Sequence, residues 1–183
     1  MVKKVYLFLA DGCEECEALI PVDILRRGGV EVTTVSITDK LEVTSSHNIT
    51  VLADKTIAEI DGDAADMLVL PGGMPGTLNL GACKTLTDLV IKYNNQGKRI
   101  AAICAAPTVF GELGILKDKK AICYPGMEEQ LTGAIVTMQK VVTDGNITTS
   151  RGLGTALEFA FELLKLLESE EAAKMIANKI VLV

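Results

Sequence analysis

Cys104 stands where a thiol can act as a nucleophile. It follows a short apolar run, Ile100 to Ile103, and precedes Ala105-Ala-Pro-Thr108. The run reads as a buried strand of a parallel sheet, and Ala105 to Leu113 as a helix with Pro107 tolerated in its first turn. A nucleophile at a sharp strand-to-helix corner needs small neighbours, because the backbone folds back tightly there. Ala102 and Ala106 supply that space. The arrangement is that of a nucleophile elbow, with the side chain held at the sheet's carboxyl edge. The start of the helix would favour the thiolate over the thiol. The plainer alternative is a small apolar residue closing a core strand; the small-residue frame favours the reactive thiol.

Other groups can serve that thiol. Pro71-Gly72-Gly73 offers backbone N–H groups of the kind that hold a developing oxyanion, or a tight turn that uses glycine's freedom. No lysine and Ser/Thr pair follows at phosphate-loop spacing. Glu14, Glu15 and Glu17 open the first helix, where acids complement the dipole; one of them, in the cleft beside Cys104, could share its proton or act as a general base. Periodicity does not choose among the three. Cys13-Glu-Glu-Cys16 has redox-motif spacing, but the two acids should raise the thiol pKa values, and no second ligand pair completes a zinc site. His47, the one histidine, reads as a solvated loop residue unless its loop reaches Cys104 in this subunit or a neighbour. Cys83 and Cys123 read as structural. Ser150 and Arg151 precede the long helix as a cap and a possible anion ligand.

The elements that must position these groups alternate. Val5 to Ala10 is a buried strand and Glu14 to Arg27 a helix, which Pro21 should kink or split. Gly28-Gly29 ends it, and Val30 to Ile37 is the next strand, at the spacing of a right-handed parallel crossover. Leu41 to Leu52 alternates weakly, as a β-excursion. Met67 to Leu70 is a strand that runs into the Gly/Pro-rich loop 71–76, and Leu86 to Asn95 is a helix. A short segment from Ala121 to Tyr124 follows the Cys104 helix. Asp144-Gly145 is a hairpin turn between Val141–Thr143 and Asn146–Ser150. Helices over Thr155–Leu167 and Glu170–Asn178 end the chain. This is a three-layer α/β fold with a mostly parallel sheet, helices on both faces and its site at the strands' carboxyl ends.

Composition bounds the rest. The 183 residues suit one domain, residues 1–183, whose core must be aliphatic, since apolar residues make up 49% and aromatics only 4%. A net charge of −6 without a basic cluster argues against nucleic acid. No run is long enough to span a bilayer, and the first residues lack a signal-peptide core. Five scattered cysteines point to a reducing cytoplasm.

Together these residues carry a resemblance. Asp11-Gly-Cys-Glu-Glu-Cys-Glu17, Leu70-Pro-Gly-Gly73, Ala101-Ala-Ile-Cys-Ala-Ala-Pro107 and Thr149-Ser-Arg-Gly-Leu-Gly-Thr155 resemble, in order and end to end, the DJ-1/ThiJ/PfpI superfamily and its DJ-1-like branch. The resemblance implies a flavodoxin-like sandwich, a homodimer, no cofactor and no metal. It selects Glu17 as the acid that hydrogen-bonds Cys104, and the amides of Gly72, Gly73 and Ala105 as the oxyanion hole. The activity it implies is hydrolysis of small electrophilic carbonyls, of the glyoxalase or deglycase type (methylglyoxal to lactate). The rival is a redox sensor or chaperone working through oxidation of Cys104. PfpI-type proteolysis is disfavoured, because Ala105 stands where those proteases carry a histidine. Tyr124-Pro125 likewise replaces the His-Pro of DJ-1-like glyoxalases. Tyr124 is then the group left to contact substrate; a phenol, with an ordinary pKa of about 10, shuttles protons poorly near neutrality.

Overall fold

The computed structural model describes residues 2–182. In chain order it contains β1 (Lys4–Leu9), α1 (Glu15–Arg27), β2 (Glu31–Ser36), the hairpin of β3 (Glu42–Thr44) and β4 (Thr50–Leu52), and β5 (Lys55–Thr56). β6 (Met67–Leu70), α2 (Gly76–Ala82), α3 (Lys84–Asn95), β7 (Arg99–Ile103) and α4 (Pro107–Glu112) follow. The last third holds β8 (Lys120–Ala121), β9 (Ile135–Val136), β10 (Val141–Asp144), β11 (Ile147–Ser150), α5 (Ala156–Leu167) and α6 (Glu170–Lys179).

Seven strands form the central sheet in the order β10-β11-β7-β6-β1-β2-β5. Only β10 runs antiparallel, against β11. Strand alternation divides the core into two layers. Val5, Leu7 and Leu9 of β1 pack with Ile24 and Leu25 of α1 and Phe159 and Leu163 of α5. Tyr6 and Phe8 face Leu80, Val90 and Phe110 from α2, α3 and α4. β6 is buried throughout, as a strand covered on both faces must be. Among the described residues no helix is long and apolar enough to cross a membrane.

Several boundaries differ from expectation. α4 starts at Pro107, and Ala105 and Ala106 form tight turns instead, with Ala106 N donating to Ile103 O at 3.1 Å. Proline lacks an N–H and fits the first helical position, so the helix begins there. α1 runs uninterrupted through Pro21, the middle one of its 13 residues; one ladder bond is lost there, and the buried face of α1 offsets it. The Gly/Pro-rich loop ends in a further helix, α2. The segment 121–124 is strand only at Ala121, and it pairs with β9 outside the central sheet.

Candidate active site

Four segments leave the sheet at its carboxyl edge and meet around Cys104: residues 11–17 after β1, 71–76 after β6, the elbow after β7, and 150–153 after β11. Cys104 has a left-handed φ of 65°, a conformation that costs a non-glycine residue of order 1–3 kcal/mol and turns its side chain out of the strand direction. Neighbouring segments hold it there. Its N–H donates to Ser150 O at 3.0 Å, and its carbonyl accepts from Tyr124 N at 2.7 Å.

The turn at Gly72–Gly73 fits against both the elbow and α1. A Cβ on Gly72 would lie 2.5 Å from Cys104 Cβ, 2.7 Å from Glu17 Oε2 and 2.9 Å from Ile103 O. Gly73, with φ of 91°, would place a Cβ 2.3 Å from Glu14 N. Only glycine lets the turn approach so closely. Gly72→Ala should therefore cost about 2 kcal/mol or more, because two of the three atoms it meets belong to backbone or Cβ and cannot swing away. Denaturant unfolding reads this directly; a midpoint equal to wild type would mean that the elbow yields.

Glu17 reaches into the site from the first turn of α1 and is 1% exposed. Glu14 places it: the Glu14 carboxylate caps the helix by accepting from Glu17 N at 2.6 Å, and Glu14 N donates to Gly72 O at 2.9 Å. Gly72 N in turn donates to Glu17 Oε2 at 3.1 Å. This amide is thus turned to the carboxylate, whereas the Gly73 and Ala105 amides act on the Cys104 thiol, favouring its charged form. In this structure the Gly72 amide thus holds the acid.

The electrostatics follow from burial. Desolvation raises Glu17 to about 7, against hydrogen bonds from Cys104 and from the Gly72 and Leu153 amides that favour its charge. Burial, then the Glu17 charge beside it, pushes the Cys104 thiol up to about 12, although the Gly73 and Ala105 amides pull the other way. The two groups act on each other, so above about pH 7 the pair holds one proton between them. α4 is only six residues long and begins three positions beyond Cys104, so its dipole is outweighed by desolvation.

Tyr124 is 51% exposed at the rim, and a Cβ on Gly152 would lie 3.4 Å from its ring and 3.7 Å from Glu17 Oε1. It stands on the Glu17 side of the site. His47 instead turns to the surface, its Nδ1 3.0 Å from Glu15 Oε1, which raises the imidazole pKa. Glu14, Glu15 and His47 bring ligand atoms within 4.8 Å of one another, the one such group among the described residues. The positive end of α1 and the existing Glu15–His47 pair oppose a cation there. The CxxC thiols are both free and lie apart in environment, Cys13 buried and Cys16 exposed. Burial raises Cys13 to about 11. Ser150 closes β11 rather than capping α5, its hydroxyl 2.7 Å from Thr155 Oγ1. The Leu153 amide was not singled out, since a backbone donor has no residue-type signature.

The chain is similar to known proteins. The family model described as the DJ-1/PfpI family matches residues 3–166. Protein DJ-1 homolog B of Arabidopsis thaliana is 40% identical over 98% of this chain, which spans 42% of that protein's length. A Pyrococcus abyssi protein named a deglycase is 32% identical over 90% of this chain and 99% of its own. The structure of oxidized Toxoplasma gondii DJ-1 superposes with a TM-score of 0.94 at 36% identity, covering 98% of each chain. With the matched stretch running from β1 into α5 and taking in every segment around Cys104, the chain belongs to the DJ-1/PfpI family.

Proposed function

We propose that the chain is a cofactor-free cysteine hydrolase of small electrophilic carbonyls, of the glyoxalase or deglycase type. The buried Cys104–Glu17 pair, both against Gly72, carries this reading, since it sets a nucleophile beside a proton acceptor whose pKa, about 7, suits work near neutrality. The Pyrococcus relative's name supports the same reaction class.

With methylglyoxal, the sulfur adds to the aldehyde carbon while its proton passes to Glu17. The resulting oxyanion lies against the Gly73 and Ala105 amides and takes the proton back, giving a hemithioacetal. The Glu17 carboxylate then removes the hydrogen from that carbon and delivers it to the adjacent keto carbon, while the hydroxyl proton passes to the keto oxygen, leaving an S-lactoyl thioester. Water cleaves the thioester to lactate and restores the thiol. Tyr124, at the rim, donates a hydrogen bond to substrate. A single-domain homodimer working in the cytoplasm belongs to the same reading, which the family and the free cysteines support.

A second reading rests on the same pair. Two equivalents of peroxide take a thiol to a sulfinic acid, and a protonated Glu17 would hold the sulfinate by hydrogen bond. The oxidized state named for the Toxoplasma relative favours it. Lactate production from methylglyoxal without glutathione separates the two. Turnover above the buffer rate supports the enzyme. No lactate from folded protein, with Cys104 oxidised before the other four thiols at low peroxide, supports the sensor.

A further inference from the structure

Thr155 stands just before α5, where a threonine ordinarily accepts a hydrogen bond from the first turn of its own helix. It makes no such bond. Its hydroxyl turns back onto the preceding segment, 2.7 Å from Ser150 Oγ and 2.9 Å from Gly152 O, and accepts from Gly152 N at 3.2 Å. Thr155 N donates to Gly152 O at 2.8 Å, and Ser150 Oγ donates to Lys140 O at 2.9 Å. The protons can therefore be placed without conflict. Ser150 gives its proton to Lys140 O, Thr155 gives its own to Ser150 Oγ, and Gly152 O is served by Thr155 N. Both hydroxyls and both backbone groups of Gly152 are then paired, which holds the turn in one arrangement.

That turn serves both members of the buried pair. Ser150 O accepts from Cys104 N at 3.0 Å and so anchors the elbow. On the other side, a Cβ on Gly152 would lie 3.7 Å from Glu17 Oε1, and the Leu153 amide favours the charged form of Glu17. Glu17 Oε2 is held by a different segment, through Gly72 N at 3.1 Å. We infer that Thr155 is a positioning residue for the Cys104–Glu17 pair: its hydroxyl leaves the cap of α5 to fix the turn 150–153, which anchors the elbow at one end and presents the Leu153 amide to Glu17 at the other. The inference rests on the reading of Glu17 as the proton acceptor of Cys104 and adds what sets that acceptor's state. Glu17 also faces Cys104 on the elbow, Glu14 on its own helix and Tyr124 at the rim, and the turn itself carries Arg151. The variants that test the inference alter none of these four.

Thr155→Val keeps the shape and loses the hydroxyl, Thr155→Ser keeps the hydroxyl, and Ser150→Ala removes the acceptor of the Thr155 proton. The quantity to measure is the titration midpoint of the Glu17 carboxyl carbon, followed by NMR. In the wild type it should lie near 7. In Thr155→Val it should rise by about one unit, the size of one lost hydrogen bond to a charged group, so that ionised Glu17 at pH 7 falls about fivefold. Thr155→Ser should titrate as the wild type does. Ser150→Ala should rise by less than Thr155→Val, because the contacts of Thr155 with Gly152 remain. Circular dichroism establishes folding, and if Thr155→Val unfolds, Ser150→Ala decides alone. Midpoints unchanged within about 0.2 units in the folded variants would overturn the inference. So would a Thr155→Ser midpoint displaced as far as that of Thr155→Val, since the side chain would then act by packing and not through its hydroxyl.

Lactate formation from methylglyoxal reads the reaction separately. If the wild type forms none, the proposed hydrolysis fails, while the Glu17 midpoints still decide the role of Thr155. If it forms lactate, the rising limb of the pH profile of kcat/KM should move up in Thr155→Val together with the carboxyl midpoint, and return in Thr155→Ser. A profile that stays in place while turnover falls equally at every pH would mean that Thr155 supports the fold and not the pair.

Discussion

The Cys104→Ser variant should fold as the wild type does and form lactate from methylglyoxal at no more than about 10⁻⁴ of its rate, the scale on which removal of a catalytic nucleophile is felt. Serine differs by one atom, accepts the same left-handed backbone at similar cost, and keeps the contacts of Cys104 N with Ser150 O and of its carbonyl with Tyr124 N. The change lies in the proton. A serine hydroxyl is far less acidic than a thiol, and a carboxylate with a pKa of about 7 cannot take its proton at a useful rate. The remaining amides of Gly73 and Ala105 can polarise a carbonyl but have no nucleophile to deliver to it. Circular dichroism and the thermal midpoint establish folding, and lactate assay gives the rate. A folded variant with more than a tenth of wild-type turnover would remove Cys104 from the chemistry. Gln at position 17 on the Cys104→Ser background should lower the rate no further, because the two side chains act as one device.

What was legible in the sequence follows from burial. β1, β6 and β7 are covered on both faces, so each is a continuous apolar run that needs no periodicity to be recognised. The elbow was legible because Ala102, Ala106 and Pro107 are constrained by local geometry. α2 was missed because Gly76, Gly81 and the proline before it are poor helix signals; packing of Leu80 into the core makes the helix. The contact of Gly72 with Glu17 was not legible for a different reason. The glycine's N–H direction is fixed by a carboxylate 55 positions away in the chain, and no local pattern encodes that pairing. The same limit applied to the thiol. A helix start is visible in sequence and suggests a thiolate, whereas the desolvation that opposes it depends on four segments closing over one site.

Desolvation also sets the behaviour of Glu17→Gln, which should slow turnover by roughly 10²–10³ while making the protein more stable at alkaline pH. Glutamine keeps the shape of the protonated acid and still accepts from the Gly72 amide, so the elbow stays in place. It cannot take the sulfur's proton or carry one between carbons. The stability effect has a definite sign. Glu17 rises from its ordinary 4.5 to about 7 on folding, so the folded chain binds this proton more tightly than the unfolded chain does. Its favourable contribution is complete below pH 4.5, declines as pH rises towards 7, and is absent above. That change amounts to about 3 kcal/mol, and the glutamine variant lacks it. Urea unfolding at pH 4.5, 6 and 8 should show the two proteins nearly equal at the lowest pH, with the variant progressively ahead at the higher two. A gap that does not change with pH would mean that Glu17 is not held as a desolvated acid. Undiminished turnover would take it out of the proton path. Both results together would leave the burial of this carboxylate without a function, whereas a faster-unfolding, active wild type and a sturdier, slow variant tie its cost in stability to its use in catalysis.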